Sequence, residues 1–187
     1  MSIRKFIIPI TLLLLVAVLS MGYTSFRVYK NNEGITLSEA FHLGFERAKA
    51  WDSNAQLVDL ASVDDWQGGS KGKDGKRRHW NFIFCVPGKP QSLILTLHDQ
   101  EFVYSKPGHD TFTEFITEAE LQIDSPAALK AAPKKQLQPK VQGESEGYHF
   151  ILLKHKGKSM IIVDGQDSGS NTKKLYIDSA SGRIIEL

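Results

Sequence analysis

A single cysteine stands in the whole chain, so no internal disulfide can staple it and no paired-cysteine metal or redox motif is available. Cys85 lies inside "WNFIFCV", an apolar run of strand character, where it reads as a small buried hydrophobe. An excess of one charge sign is also lacking. The formal net charge is +2, and without Arg4 and Lys5 the 23 basic residues fall level with the 21 acidic ones. Such balance gives no reason to expect nucleic acid as a partner. The six histidines (His42, His79, His98, His109, His149 and His155) include no pair at the i, i+4 spacing of a metal-binding helix. They read as surface residues; His149 and His155 lie on or beside one strand. No metal or cofactor is expected.

Catalytic motifs are missing too. "GGSKG" at 68–72 matches G-x-S-x-G, but a nucleophile elbow needs an apolar strand before it and a helix after it. Here "VDDWQ" precedes and "KDGKRRH" follows, so Ser70 reads as a loop serine. "DGQDSGSN" at 164–171 lacks the spaced acidic ligands and closing Glu of a calcium loop. No catalytic residue is nominated, and the chain is not expected to be an enzyme.

What is present begins with a long apolar run. Arg4 and Lys5 precede "FIIPITLLLLVAVLSMGY", residues 6–23, with no charged side chain before Arg27. Cations followed by such a run describe an export signal. Its length suits a single membrane span. The expectation is a signal anchor within residues 1–30, touching the membrane through 6–23, with the body outside the cytoplasm. Cleavage to a secreted or periplasmic form is the alternative. No Cys follows the run, so a lipid-modified cysteine is not expected there.

The remaining length allows one domain or two small ones. "TLSEAFHLGFERAKAW", residues 36–51, opens with Thr36 and Glu39 in the spacing of a capping box. Leu37, Ala40, Phe41, Phe45, Ala48 and Trp51 then recur at helical spacing on one face. "NAQLVDLASVDD", "WNFIFCV", "SLILTLHD", "EFVYS" and, more weakly, "EFITEAELQID" read as strands. A second cycle follows. "DSPAALKAA" reads as a helix with Ser125 as cap and Pro126 at its first position. "YHFILLKH" and "KSMIIVDG" are strands turning at Lys156–Gly157, and "KLYIDSASGRIIEL" is a closing hairpin.

Both cycles run from a helix into antiparallel strands. They share a local echo: Trp80-x-Phe82-Ile83 leading to Gly88-Lys89, and Tyr148-x-Phe150-Ile151 leading to Gly157-Lys158. The expected class is α+β, an amphipathic helix packed on antiparallel sheet. Two tandem helix-plus-meander units are expected, at residues 31–123 and 124–187.

In the last hairpin, Leu175, Tyr176 and Ile177 fill one strand, Asp178 and Gly182 hold the turn, and Ile184–Ile185 fill the next. This pattern resembles the end of the PepSY domain (peptidase propeptide and YPEB-like). The resemblance covers about residues 125–187, and residues 36–105 more loosely, where Asp99 has no Gly after it. It implies a non-catalytic extracytoplasmic module that regulates or inhibits a protease or another envelope partner. Turn chemistry alone also accounts for both residues: Asp accepts from backbone N–H groups further on, and Gly supplies positive φ.

One charged stretch has two readings. Lys71, Lys73, Lys76, Arg77 and Arg78 lie between Trp66 and Trp80, opposed by Asp74 alone. They form either a basic surface for anionic lipid headgroups or an acidic partner, or a solvated loop, the favoured reading. The expected function is an extracytoplasmic binding or regulatory module whose partner is a polypeptide. An exported hydrolase without a recognisable motif and a structural envelope protein are the alternatives.

Overall fold

The structure is a computed structural model that describes residues 33–65, 68–141 and 145–186. The expected signal anchor at 1–30, with its membrane contact at 6–23, lies outside the described residues, as does Trp66. No helix among the described residues is long and apolar enough to cross a membrane.

Helix α1 (Leu37–Trp51) forms where the sequence places it. Thr36 caps it, accepting from the Glu39 N–H at 3.2 Å, while the Glu39 carboxylate accepts from the Thr36 N–H at 2.8 Å. Leu37, Ala40, Phe41, Phe45 and Ala48 are buried, as the periodicity requires. Trp51 departs from the expectation. It ends the helix and stays 36% exposed.

Eight strands follow: β1 (Gln56–Ser62), β2 (His79–Cys85), β3 (Ser92–His98), β4 (Glu101–Gly108), β5 (His149–His155), β6 (Lys158–Gln166), β7 (Thr172–Asp178) and β8 (Ile184–Ile185). They make one antiparallel sheet in the order β4-β3-β2-β1-β5-β6-β7-β8. Each half is a meander of sequential neighbours. β1 and β5 join back to back through the pairs Asp59–Leu153, Leu60–Leu152 and Ala61–Ile151. The expected units at 31–123 and 124–187 are therefore the halves of a single sheet.

Helix α2 (Ser125–Leu129) packs on β6, as α1 packs on β1 and β2. The helix-then-four-strands order repeats, but the sequence echo does not mark the equivalence. Trp80 belongs to the second strand of its half, whereas Phe150 belongs to the first of its own. Aromatic-rich strands look alike wherever they face a helix.

Cross-strand register sorts the side chains. Leu60, Phe82 and Leu95 share one face with Leu152, Ile161 and Ile177, all buried in one core with Phe41 and Ala48 of α1. Asp59, Ile83 and Ile94 share the other with Leu153 and Met160.

Two local expectations change. "EFITEAELQID" forms a single bridge from Ile116 to Leu57 and a 3-10 turn at Glu118–Glu120, not a strand. The Glu120 carboxylate draws the chain into that turn by accepting from the Thr117 N–H at 2.9 Å. At α2 the N-cap is Asp124, one residue before the expected Ser125. Ser125 is buried and serves both halves. Its hydroxyl donates to the Gly75 carbonyl at 2.6 Å and accepts from the Leu37 N–H at 2.9 Å. Asp124 accepts from the Ser38 N–H at 2.9 Å. The orphan donors at the start of α1 are thus satisfied by the second half of the chain.

Gly75 has φ +86, and a Cβ there would meet the Pro126 Cα at 2.6 Å. Only glycine permits that approach. Replacing Ser125 by Ala removes two buried partners at once. It is expected to destabilise the fold by about 1–3 kcal/mol, seen as a lower urea midpoint with unchanged slope, whereas Ser53→Ala stays within about 0.5 kcal/mol.

Candidate functional site

The loop between β1 and β2 carries the five cations, and its structure corrects the reading of them as a basic surface. Arg77 is fully buried, at 0% exposure. Its backbone exchanges two bonds of 2.9 Å with Ile35, and its carbonyl also accepts from the Trp80 indole at 3.0 Å. The guanidinium donates to the carbonyls of Glu146 at 3.0 Å and Val63 at 2.9 Å, and its Nε lies 3.4 Å from Asp65 Oδ2. Asp65 is equally buried and takes the Arg78 N–H at 2.9 Å. Arg78 in turn pairs with Asp99, Nη2 to Oδ2 at 2.9 Å, and Lys71 pairs with Glu146. Lys73 is exposed and Lys76 half-buried. The five cations do not gather into one patch. Asp65 balances Arg77 inside the protein, as a buried charge requires, and Asp99 of the β3–β4 turn balances the part-exposed Arg78.

His149 completes this network and is not a surface residue. It is buried, with Nδ1 at 3.1 Å from the Ser62 carbonyl and Nε2 at 3.4 Å from an Arg77 nitrogen. A guanidinium can only donate, so Nε2 accepts and the proton sits on Nδ1. Burial pulls the imidazole pKa down and the Arg77 charge lowers it further. His79 and His98 stack at 4.2 Å between ring centres. Burial, with His79 adding to it, lowers the His98 pKa as well.

Ser70 sits in the same loop, and its hydroxyl is held by Asp74. The described residues around it form turns, with Gly69 at φ +70 and Lys71 at φ +52, and among the described residues neither flanking element of a nucleophile elbow is there. Cys85 is buried, and burial pushes its thiol pKa up, which suits a packing role.

The closing turn behaves as its chemistry predicts. Asp178 Oδ1 accepts from the Ser181 N–H at 2.7 Å, the Ser181 hydroxyl at 2.8 Å and the Ala180 N–H at 3.2 Å. Gly182 follows at φ +72 and donates to the Asp178 carbonyl at 2.9 Å. Asp178 and Gly182 fold the hairpin. They lie far along the sheet order from the basic loop and meet none of its charges.

Two surface features are built by the sheet. First, the last strand of each half is an outer edge. β8 offers two residues, but β4 offers eight, with Val103 57% and Tyr104 47% exposed. Beside β4, Trp51 and Arg47 of α1 form a groove with Leu93, Ser105 and Pro107. Second, β1 parts from β5 below Asp59, where the β1 register slips between Leu57 and Asp59. A cleft of about 350 Å³ opens there, with Asp59 in its wall. Sequence reasoning missed it. Its only signal was one charged residue inside the strand "QLVDLAS".

Comparison with known proteins adds a fold relationship. No family model and no curated protein matches the chain. A crystal structure from Clostridium difficile 630, described as a "putative lipoprotein", is similar in fold, with a TM-score of 0.53 at 12% identity. The similarity covers 76% of this chain and 88% of that one.

Two outcomes test these assignments. A histidine whose folded pKa lies below its unfolded value holds its contribution above about pH 6.5 and loses it as pH falls through that range. Stability should therefore drop below pH 6.5, the ordinary histidine value. His149→Gln should flatten part of that slope in urea melts taken across the range, the lowered pKa of His98 keeping the rest. At the turn, a branched side chain at the positive φ of Gly182 is strained. Gly182→Val is expected to cost about 1–3 kcal/mol, read as a lower melting temperature.

Proposed function

We propose that the chain is a non-catalytic binding module of the cell envelope, recognising an extended polypeptide along the β4 edge. The observation that carries this reading is the asymmetry of the two edges: one two-residue strand, and one eight-residue strand with Val103 and Tyr104 exposed. An edge strand presents unpaired N–H and C=O groups on which a partner segment can add, with main-chain bonds giving affinity and side-chain pockets giving selectivity. The groove by Trp51 supplies such a pocket, apolar at Leu93 and Pro107 and cationic at Arg47.

The same edge carries its own restraint. The register slips between Thr96 and Leu97, and Pro107 has no N–H to offer. Bulges, prolines and charges of this kind keep an edge from pairing with copies of itself. The edge is thus suited to one short partner segment.

The extracytoplasmic location rests on Arg4 and Lys5 before the apolar run 6–23. The only cysteine is the buried Cys85, so the tether in this reading is the apolar run itself. Membership of the PepSY group belongs to the same proposal. Its support is the Asp178–Gly182 turn and the repeated order of helix and four strands; regulation of a protease or another envelope partner is what that membership implies.

A photo-crosslinking residue placed at Tyr104 in intact cells checks the edge directly. The expected result is a discrete polypeptide adduct, lost when Val103→Lys is added and not formed from a crosslinker at Lys174. Equal adducts from both positions, or none from Tyr104, would remove the reading.

A further inference from the structure

We propose that the polypeptide segment recognised at the β4 edge is acidic, with one carboxylate toward Arg47 on the helix face of the sheet and a neighbouring one toward Lys106 on the opposite face. The inference rests on the edge reading above and adds the chemistry of the partner. Ser105 and Pro107 line the groove with Arg47 and Trp51. Alternation along the strand therefore turns Lys106, between them, to the other side, where it lies opposite Ile94. A cation stands on each face of the same stretch of edge.

Neither cation is answered by the element that carries it. On α1 the positions three and four residues from Arg47 are Leu43, Gly44, Ala50 and Trp51, and the adjacent Glu46 does not share its face of the helix. On β4 the same-face neighbours of Lys106 are Tyr104 and Gly108. Both cations are exposed, and among the described residues neither makes an ion pair or a hydrogen bond. The carboxylates at this end of the edge are committed. Asp52 pairs with Lys89 at 3.7 Å and accepts from the Asn54 N–H at 2.8 Å. Asp110 accepts from the Ser92 hydroxyl at 3.0 Å.

Trp51 gives such a segment an apolar anchor. Helical spacing would turn this residue inward, yet it stays 36% exposed. It shares with Pro107 two clefts, one of about 250 Å³ beside Arg47 and one of about 270 Å³ beside Gln91 and His109. Tryptophan and arginine are the residues that most often carry the binding energy where proteins meet. A strand laid against β4 sends alternate side chains to each face. The residue opposite Lys106 gains a cross-strand charge pair, and its neighbour on the groove face meets Arg47.

Two cations without counter-ions repel a basic segment, while a carboxylate on each face answers both. An anionic lipid surface is less well matched. Headgroups lie in one plane, whereas Arg47 and Lys106 stand on opposite faces of the sheet with the strand edge between them. A strand added at the edge meets both at once.

The test presents a library of random short peptides to the full chain and sequences those retained. Peptides with adjacent Asp or Glu residues should be enriched, a crosslinking residue at Tyr104 should capture the best of them, and added salt should weaken its binding. Arg47→Glu and Lys106→Glu should each weaken that peptide about tenfold or more and turn the selection toward Lys and Arg, whereas Arg47→Lys should keep the acidic preference. Both positions are exposed, so circular dichroism should stay unchanged. Peptides captured at Tyr104 without an acidic preference, or acidic ones unmoved by both charge reversals, would overturn the inference and leave the edge reading standing. Acidic peptides that Tyr104 does not capture, or no retained peptide, would overturn both. Binding to phosphatidylglycerol vesicles that both reversals abolish, with no peptide selected, would assign the cations to a lipid surface and overturn it as well.

Discussion

Three residue pairs between β1 and β5 hold the halves of the sheet together. By comparison, β2 and β3 share seven. A junction that short cannot define the relation of two meanders by ladder bonds alone. The missing constraint is supplied beside it by the guanidinium of Arg77. Its bonds reach Val63 at the end of β1, Glu146 before β5, and His149 on β5. A hydrophobic side chain could fill the same volume, but it could not specify which carbonyls meet there. Direction is what the buried charge contributes. Removing one partner of such a group costs about 3–5 kcal/mol, so the junction is guarded by its own penalty.

The same dependence runs through α1. Its first turn is closed partly by Thr36 and Glu39, and partly by Asp124 and Ser125 from the far half of the chain. Gly75 of the β1–β2 loop is bonded to that same Ser125. The loop, the helix start and α2 therefore form one contact. A loop rich in glycine and lysine is here an inner strut, with glycine admitting the close approach and arginine supplying donors.

This explains which features could be read from the chain. The helix at 37–51, most strands and the Asp178–Gly182 turn are encoded locally, by capping, periodicity and turn chemistry. The burial of Arg77 is not. Nothing within "KGKDGKRRH" distinguishes Arg77 from Lys73, because the acceptors that bury it lie at Val63 and Glu146. The same holds for "EFITEAELQID", where alternation suggested a strand. Glu120 instead binds Lys154 and Ser159, distant residues that commit its carboxylate. The echo around Trp80 and Tyr148 misled for another reason: it compared strands that face a helix, and the repeat joins strands that hold the same rank.

Charge is placed beside the central strands in two different settings. Arg77 is surrounded by acceptors and its removal would unmake the junction. Asp59, on β1 itself, has apolar neighbours and an oxygen without a donor among the described residues. A fold that places donors and acceptors around one central charge has no physical obstacle to placing them around another. Asp59 faces the other side of the sheet from Leu60, between the half-buried Ile83 and Leu153, so its carboxylate takes no part in the core that holds the halves together.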